Sequence, residues 1–155
     1  MSITVIGDVH GKYSKYLELT KQHDNTVQLG DFGFNYDALS EVDYDRHLLF
    51  SGNHDNIDKL LGIPHDLGDY GQAVLNGIPF FFVRGGYSID AKIRKIGIDW
   101  FANEEMSFQE LMDCVEFYKQ VKPDIVISHE APSYVSRLKG DVNMLVGRGL
   151  HPLWS

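Results

Sequence analysis

The stretch Ile3-Thr4-Val5-Ile6-Gly7-Asp8-Val9-His10-Gly11 is a short apolar run that stops at a glycine and is followed at once by two candidate metal ligands. Its apolar half reads as a buried strand. The same arrangement recurs three times. Leu29-Gly30-Asp31 closes the run Thr26-Val27-Gln28-Leu29, and Ser51-Gly52-Asn53-His54-Asp55 follows the run His47-Leu48-Leu49-Phe50. His129 follows Ile125-Val126-Ile127-Ser128. Between the first two runs, residues 13–23 place Tyr13, Tyr16, Leu17 and Thr20 on one helical face. Short apolar runs alternating with helical patterns indicate an α/β fold. In open α/β sheets, ligands bind outside the carboxyl ends of the strands. Four neighbouring ends would bring Asp8, Asp31, Asn53, His10, His54 and His129 into one crevice. The glycines permit sharp turns and close approach of backbone to a ligand.

Working outward, Gln72–Leu75, then Asn76-Gly77, then Ile78–Val83 has the form of a β-hairpin. Asn-Gly adopts the two positive-φ conformations of a type I′ turn with ease. Pro79 indicates that the second strand has an open edge there or begins later. Ser107 is placed to cap a helix running to about Lys119, with Glu110 completing a capping box. Phe108, Leu111, Met112, Val115 and Tyr118 form its expected apolar stripe. No internal repeat, low-complexity tract or linker interrupts residues 1–155, so a single domain is expected.

Composition narrows the function. Fourteen Lys and Arg stand against twenty-two Asp and Glu, a formal charge of −8 at pH 7. A sequence-independent phosphate clamp needs clustered cations, so non-specific nucleic-acid binding is not expected. With 43% hydrophobic residues, disorder is excluded. The first residues carry an acid at position 8 and no basic region, unlike a signal peptide. The longest strongly apolar run, Ile78–Val83, falls far short of the roughly 20 residues of a membrane helix. Cys114 is the single cysteine, which fits a reducing cytoplasm and a small core residue better than a catalytic one.

Each strand-end motif alone is weak, because a Gly-Asp pair after a strand is usually a turn and nothing more. Four together carry weight. The donors are carboxylate and amide oxygens and imidazole nitrogens with no thiolate, which favours manganese, iron or zinc over calcium. As a set, Gly7-Asp8-x-His10-Gly11, Gly30-Asp31, Gly52-Asn53-His54-Asp55 and Ser128-His129 resemble, in order and spacing, the first four motifs of the calcineurin-like metallophosphoesterases. The resemblance spans positions 7 to 129 and looks closest to short bacterial and phage members. It implies a four-layer α/β/β/α sandwich and two divalent metal ions, manganese first and iron or zinc next. It also implies that Asp8 and His10 hold one metal, Asp31 bridges both, and Asn53 with His129 holds the second. A metal-bridging hydroxide would then attack a phosphoester, and His54 would protonate the leaving group as general acid.

The sequence departs from the family pattern in two places. The fifth motif, Gly-His-x-His, is missing, and after His129 the only histidine is His151 in Leu150-His151-Pro152. A surface or capping role is expected for His151, and the chain is expected to be a truncated form of a longer enzyme or a weakly metal-binding product. The protein serine/threonine phosphatases carry Gly-Asp-x-x-Asp-Arg-Gly at the bridging aspartate, whereas this chain reads Gly30-Asp31-Phe32-Gly33-Phe34-Asn35. A small-molecule or nucleotide phosphoester is therefore expected in preference to a phosphoprotein. A metal-dependent nuclease and a non-catalytic metal-binding module are the alternatives.

Four further candidates have two readings each. Arg84 is a candidate phosphate ligand through its planar fork, or an exposed strand-end cation. Phe32, Phe34, Tyr36 and Tyr87 form a wall for a base or pack onto the core. Asp55 hydrogen-bonds near His54 or caps a helix starting at Asn56, and Glu130 supports the site or is solvated. The run Asp90-x-Lys92-Ile93-Arg94-Lys95 reads as a solvent-exposed mixed-charge face.

Overall fold

The computed structural model describes residues 1–131. Those residues form two three-stranded sheets with helices, a mixed α/β architecture. The first sheet is parallel in the order β1 (Thr4–Ile6), β2 (Thr26–Gln28), β3 (His47–Leu49). Thr4 pairs with Thr26 and Thr26 with His47, so the three strands end in step. Helix α1 (Tyr13–Gln22) makes the crossover from β1 to β2. Its buried residues, Tyr16 and Thr20, sit four apart on the face the sequence pattern marks. Tyr16 packs with Ile6, Val9, Phe32, Tyr36 and Leu49 in one core cluster.

The second sheet is mixed, in the order β4 (Tyr70–Leu75), β5 (Ile78–Val83), β6 (Val126–Ser128). The expected hairpin is present, and Asn76 and Gly77 take φ of 50° and 76°. Pairing of β6 with β5 starts at Phe81, so Pro79 lies where β5 has no second partner strand among the described residues. Phe80 and Phe82 point toward Val27 and Phe50 of the first sheet's cluster, while Phe81 and Val83 face the opposite side. This alternation is the period-2 rule of a strand buried on both faces.

Helix α3 (Phe108–Val121) covers that opposite side; between β3 and β4 lies the single turn α2 (Ile57–Leu60). Both halves of the Ser107–Glu110 capping box form. The apolar stripe is shifted from the expected one. Leu111, Cys114, Tyr118 and Val121 pack on the sheet, with Cys114 the most buried, whereas Phe108 is 68% exposed at the first helical position. Burial pushes the Cys114 thiol up to about 11, as expected of an inert core residue. Lys122 ends the helix in the left-handed conformation, at φ 48°, just before Pro123. No helix among the described residues is long and apolar enough to cross a membrane.

Candidate metal centre

The four strand-end motifs converge, three from the first sheet and one from the second. They are not the ends of four neighbours in a single sheet, because β6 pairs with β5. Backbone bonds tie the loops to one another. The Asp31 carbonyl accepts from the N–H groups of Val9 and His10 at 3.0 and 2.8 Å, and Phe32 accepts from Gly11 at 3.0 Å. The second sheet is tied in through Gly85 N–H to Ser51 carbonyl at 2.8 Å. His10 and Asp31 both sit at positive φ, 46° and 56°, an uncommon conformation for residues other than glycine. Such residues persist only where their surroundings hold them.

Two buried polar side chains hold these turns. Gln28 has no exposed surface. Its amide nitrogen donates to the carbonyls of Gly30 and Gly7, at 2.5 and 3.3 Å, and its oxygen accepts from Gly30 N–H at 3.1 Å. One side chain thus braces the turns after β1 and β2. Asp55, also fully buried, accepts from Phe32 and Gly33 N–H at 3.0 and 3.2 Å, from Gly52 N–H at 2.8 Å and from the Tyr36 hydroxyl at 3.1 Å. Burial raises its carboxyl above the usual range, and the hydrogen bonds from Gly52 and Gly33 oppose that rise. The capping role for Asp55 does not hold, because Asn56 caps the following turn with its own side chain; Asp55 instead hydrogen-bonds within the turn that carries His54 and locks it to the loop after β2. Gln28 carries no motif and escapes the sequence reading.

Asp31 lies at the middle of the cluster with a side chain only 5% exposed. Its two oxygens face different neighbours. Oδ2 lies 3.6 Å from His10 Nε2, which is itself 3.5 Å from Asp8 Oδ2. Oδ1 lies 3.5 Å from His129 Nε2 and accepts from His54 N–H at 2.8 Å. The His54 ring stands edge-on to His10 with centroids 5.4 Å apart. One ligand atom each from His10, Asp31 and His54 lie within 4.8 Å of one another.

Hydrogen-bond bookkeeping at His129 tests whether a cation fits. Nδ1 lies 2.7 Å from the Leu29 carbonyl, which only accepts, so Nδ1 carries the proton. In the neutral ring the Nε2 lone pair then points at Asn53 Oδ1, 2.9 Å away, and toward Asp31 Oδ1. Three acceptors meeting with no proton among them is an arrangement that a cation relieves. A carbonyl bond to the far imidazole nitrogen is also the usual way a metal-binding histidine is oriented. The donor set therefore fits a divalent ion on chemical grounds, with Asp8, His10 and Asp31 on one side and Asp31, Asn53 and His129 on the other.

The remaining candidates are placed as follows. Arg84 is 8% exposed, not a solvent-facing cation. Its Nε pairs with Asp69, and Nη1 donates to the carbonyls of Asn103 and Glu104 at 3.1 and 3.0 Å, so the fork expected on phosphate is turned to protein partners. Phe32 and Tyr36 are core residues stacked on each other, Phe34 packs on Phe101, and only Tyr87 of the expected wall is exposed. Glu130 accepts from Tyr87 N–H at 3.0 Å and so ties the loop after β5 to the end of β6. Arg94 corrects the expected mixed-charge face: its side chain is 6% exposed and turned inward to Ser88 and Glu104. His151 lies outside the described residues.

Two sheets whose strand ends gather carboxylate, amide and imidazole donors define a mixed α/β protein with a candidate cation centre. The chain belongs to the calcineurin-like phosphoesterase family, whose model matches residues 1–149 of 155. That bears out the resemblance read from the strand-end motifs. The family is a class of metal-dependent phosphoesterases, so its general chemistry is phosphoester hydrolysis supported by divalent metal. No curated protein matches the sequence.

Proposed function

We propose that this chain is a dinuclear-metal-dependent phosphoester hydrolase acting on a small phosphomonoester or phosphodiester. The observation that carries the reading is Asp31, whose two carboxylate oxygens face separate groups of donors. In this reading Asp8, His10 and Asp31 hold one ion, and Asp31, Asn53 and His129 hold the other. Manganese is the first candidate, ahead of iron or zinc, because the donors are oxygen and imidazole. Divalent ions held there would activate water at neutral pH and offset charge on the phosphoryl oxygens. His54 protonates the leaving oxygen. Its backbone is pinned to Asp31 while its half-buried ring stays at the rim, beside His10. Arg84 is left out of the substrate contacts in this reading, since its Nε and Nη1 are engaged by Asp69 and two carbonyls.

The three core clusters support the α/β/β/α layering, with α1 against the first sheet, the two sheets facing each other, and α3 against the second. A single domain over 1–155 and a cytoplasmic location belong to the same reading, the latter supported by the lone buried thiol. The acidic balance favours a small substrate over a polynucleotide.

The test is hydrolysis of para-nitrophenyl phosphate and its bis ester by the chelator-stripped chain, titrated with manganese. Turnover is expected to depend on metal, and the ratio of the two substrates separates monoesterase from diesterase. His54→Ala is expected to lower turnover by about 10²–10⁴ while metal stoichiometry stays at that of the parent. Loss of metal along with activity would make His54 a ligand and overturn the general-acid role. Metal binding without turnover on either ester would favour a non-catalytic module.

A further inference from the structure

The loop that follows β5 buries a set of polar groups that the proposed chemistry does not use. Ser88 is completely buried and Glu104 is 2% exposed. Ser88 N–H donates to Glu104 Oε1 at 2.9 Å, and the Ser88 hydroxyl lies 2.7 Å from Glu104 Oε2. Arg94 Nη1 lies 2.5 Å from the same hydroxyl, 3.9 Å from Glu104 Oε2 and 3.6 Å from Asp90. The last neighbour of this hydroxyl is Asn53, whose side-chain amide sits 3.0 Å away.

Valence fixes the direction of every bond in this set. A hydroxyl has one proton and two lone pairs. Glu104 as a carboxylate only accepts, so the Ser88 proton goes to Oε2. Arg94 only donates and takes one lone pair. The second lone pair is then left for Asn53, which must present its NH₂ group. That places Asn53 Oδ1, the atom able to bind a cation, toward His129 Nε2 at 2.9 Å.

We propose that Ser88, Glu104 and Arg94 are positioning residues that dictate which end of the Asn53 amide faces the metal centre. The inference rests on the dinuclear reading above and adds to it a reason why an amide serves where a flip would present the wrong atoms. Without the relay, the two amide orientations compete, and one of them turns an N–H group on the cation. The relay also explains why two charged side chains are buried together in a loop. Buried charge is costly unless paired and hydrogen-bonded, and here Glu104 is met by the Ser88 N–H and hydroxyl and by Arg94.

Metal binding tests the relay without recourse to turnover. Manganese is titrated calorimetrically into the chelator-stripped full chain, and melting temperature is followed in parallel. Ser88→Ala is expected to weaken one of two binding events by about 10–100-fold, the range typical of groups that orient metal ligands, and to spare the other. Glu104→Gln, nearly isosteric, is expected to do the same: the new amide can donate to the Ser88 hydroxyl, freeing that hydroxyl to donate to Asn53 and favour the flipped orientation. Asn53→Asp removes the flip, so adding Ser88→Ala to it should cost no further metal affinity. Lower melting temperatures with both binding events intact in Ser88→Ala and Glu104→Gln would overturn the relay and leave those residues merely structural. If Asn53→Ala fails to remove a binding event, the dinuclear reading itself falls, and the relay with it. Loss on Asn53→Ala but not on Ser88→Ala or Glu104→Gln sinks the relay alone.

Discussion

A Cβ added at Gly52 would fall on Asp31 Oδ1 and would sit 2.5 Å from His129 Cε1 and 2.7 Å from the Asp31 nitrogen. One at Gly30 would likewise collide with the backbone of Gly52. These glycines are required for closeness, since each lets two loops approach within backbone contact. Gly52→Ala is therefore expected to displace the Asp31 carboxylate and weaken both metal-binding events together. An overpacking cost of about 1–3 kcal/mol should accompany it in chemical unfolding. Two binding events of parental affinity would show that the loop can yield. The candidate donors were legible because each lies in a recognisable motif directly after a strand. The side chains that hold those donors were not. Gln28 reads as an ordinary strand residue, and Arg94 reads as solvated because its partner Glu104 is ten positions away in a stretch without periodicity. The burial of Arg84 escaped for the same reason, its partner Asp69 being fifteen residues upstream.

Elements were legible wherever hydrophobic period and turn chemistry agreed. The Asn76-Gly77 hairpin and the Ser107–Glu110 box carry their signals within a few residues, and both form. The stripe of α3 slipped because which helical face is buried depends on where the second sheet lies, and that is not a local property. The connection between β3 and β4 holds a less visible feature. Asp66 accepts from Gly68 N–H at 3.1 Å to shape this turn, and burial pushes its carboxyl up to about 6, with Asp69 adding to the rise. An unfolded aspartate titrates near 3.9. Between roughly pH 4 and 6 the folded chain therefore holds more protons than the unfolded one, and this group lowers stability as pH rises through that window. Below about pH 4 it costs nothing, and above about pH 6 the full cost is present. Asp66→Asn keeps an acceptor for Gly68 and has no proton to lose. It is expected to stabilise the protein at pH 7 by up to about 3 kcal/mol and to have little effect at pH 4. Equal effects of the substitution at the two pH values, measured by urea unfolding, would show that Asp66 is not the titrating group.

At the scale of the molecule, the candidate centre is where the two sheets meet outside their shared core. Asp8, His10, Asp31 and Asn53 follow strands of the first sheet, and His129 follows β6 of the second. The apolar contacts of Val27 and Phe50 with Phe80 and Phe82 hold the sheets together from within. A cation held by donors of both sheets would hold them from the rim. Anything that binds the folded state alone stabilises it, by about 2.7 kcal/mol at a hundred times the dissociation constant. For a chain of this size that corresponds to a rise in melting temperature of roughly 5–10 °C on adding manganese to the stripped protein. The two halves of the centre should differ in this respect. In the proposed assignment an ion held by Asp8, His10 and Asp31 would brace loops of the first sheet only, whereas one held at the position that includes His129 would span both. His129→Ala is thus expected to remove the larger part of the manganese-dependent rise. His10→Ala should leave the rise from the position that includes His129. An undiminished rise in His129→Ala would mean that the second sheet takes no part in holding the metal.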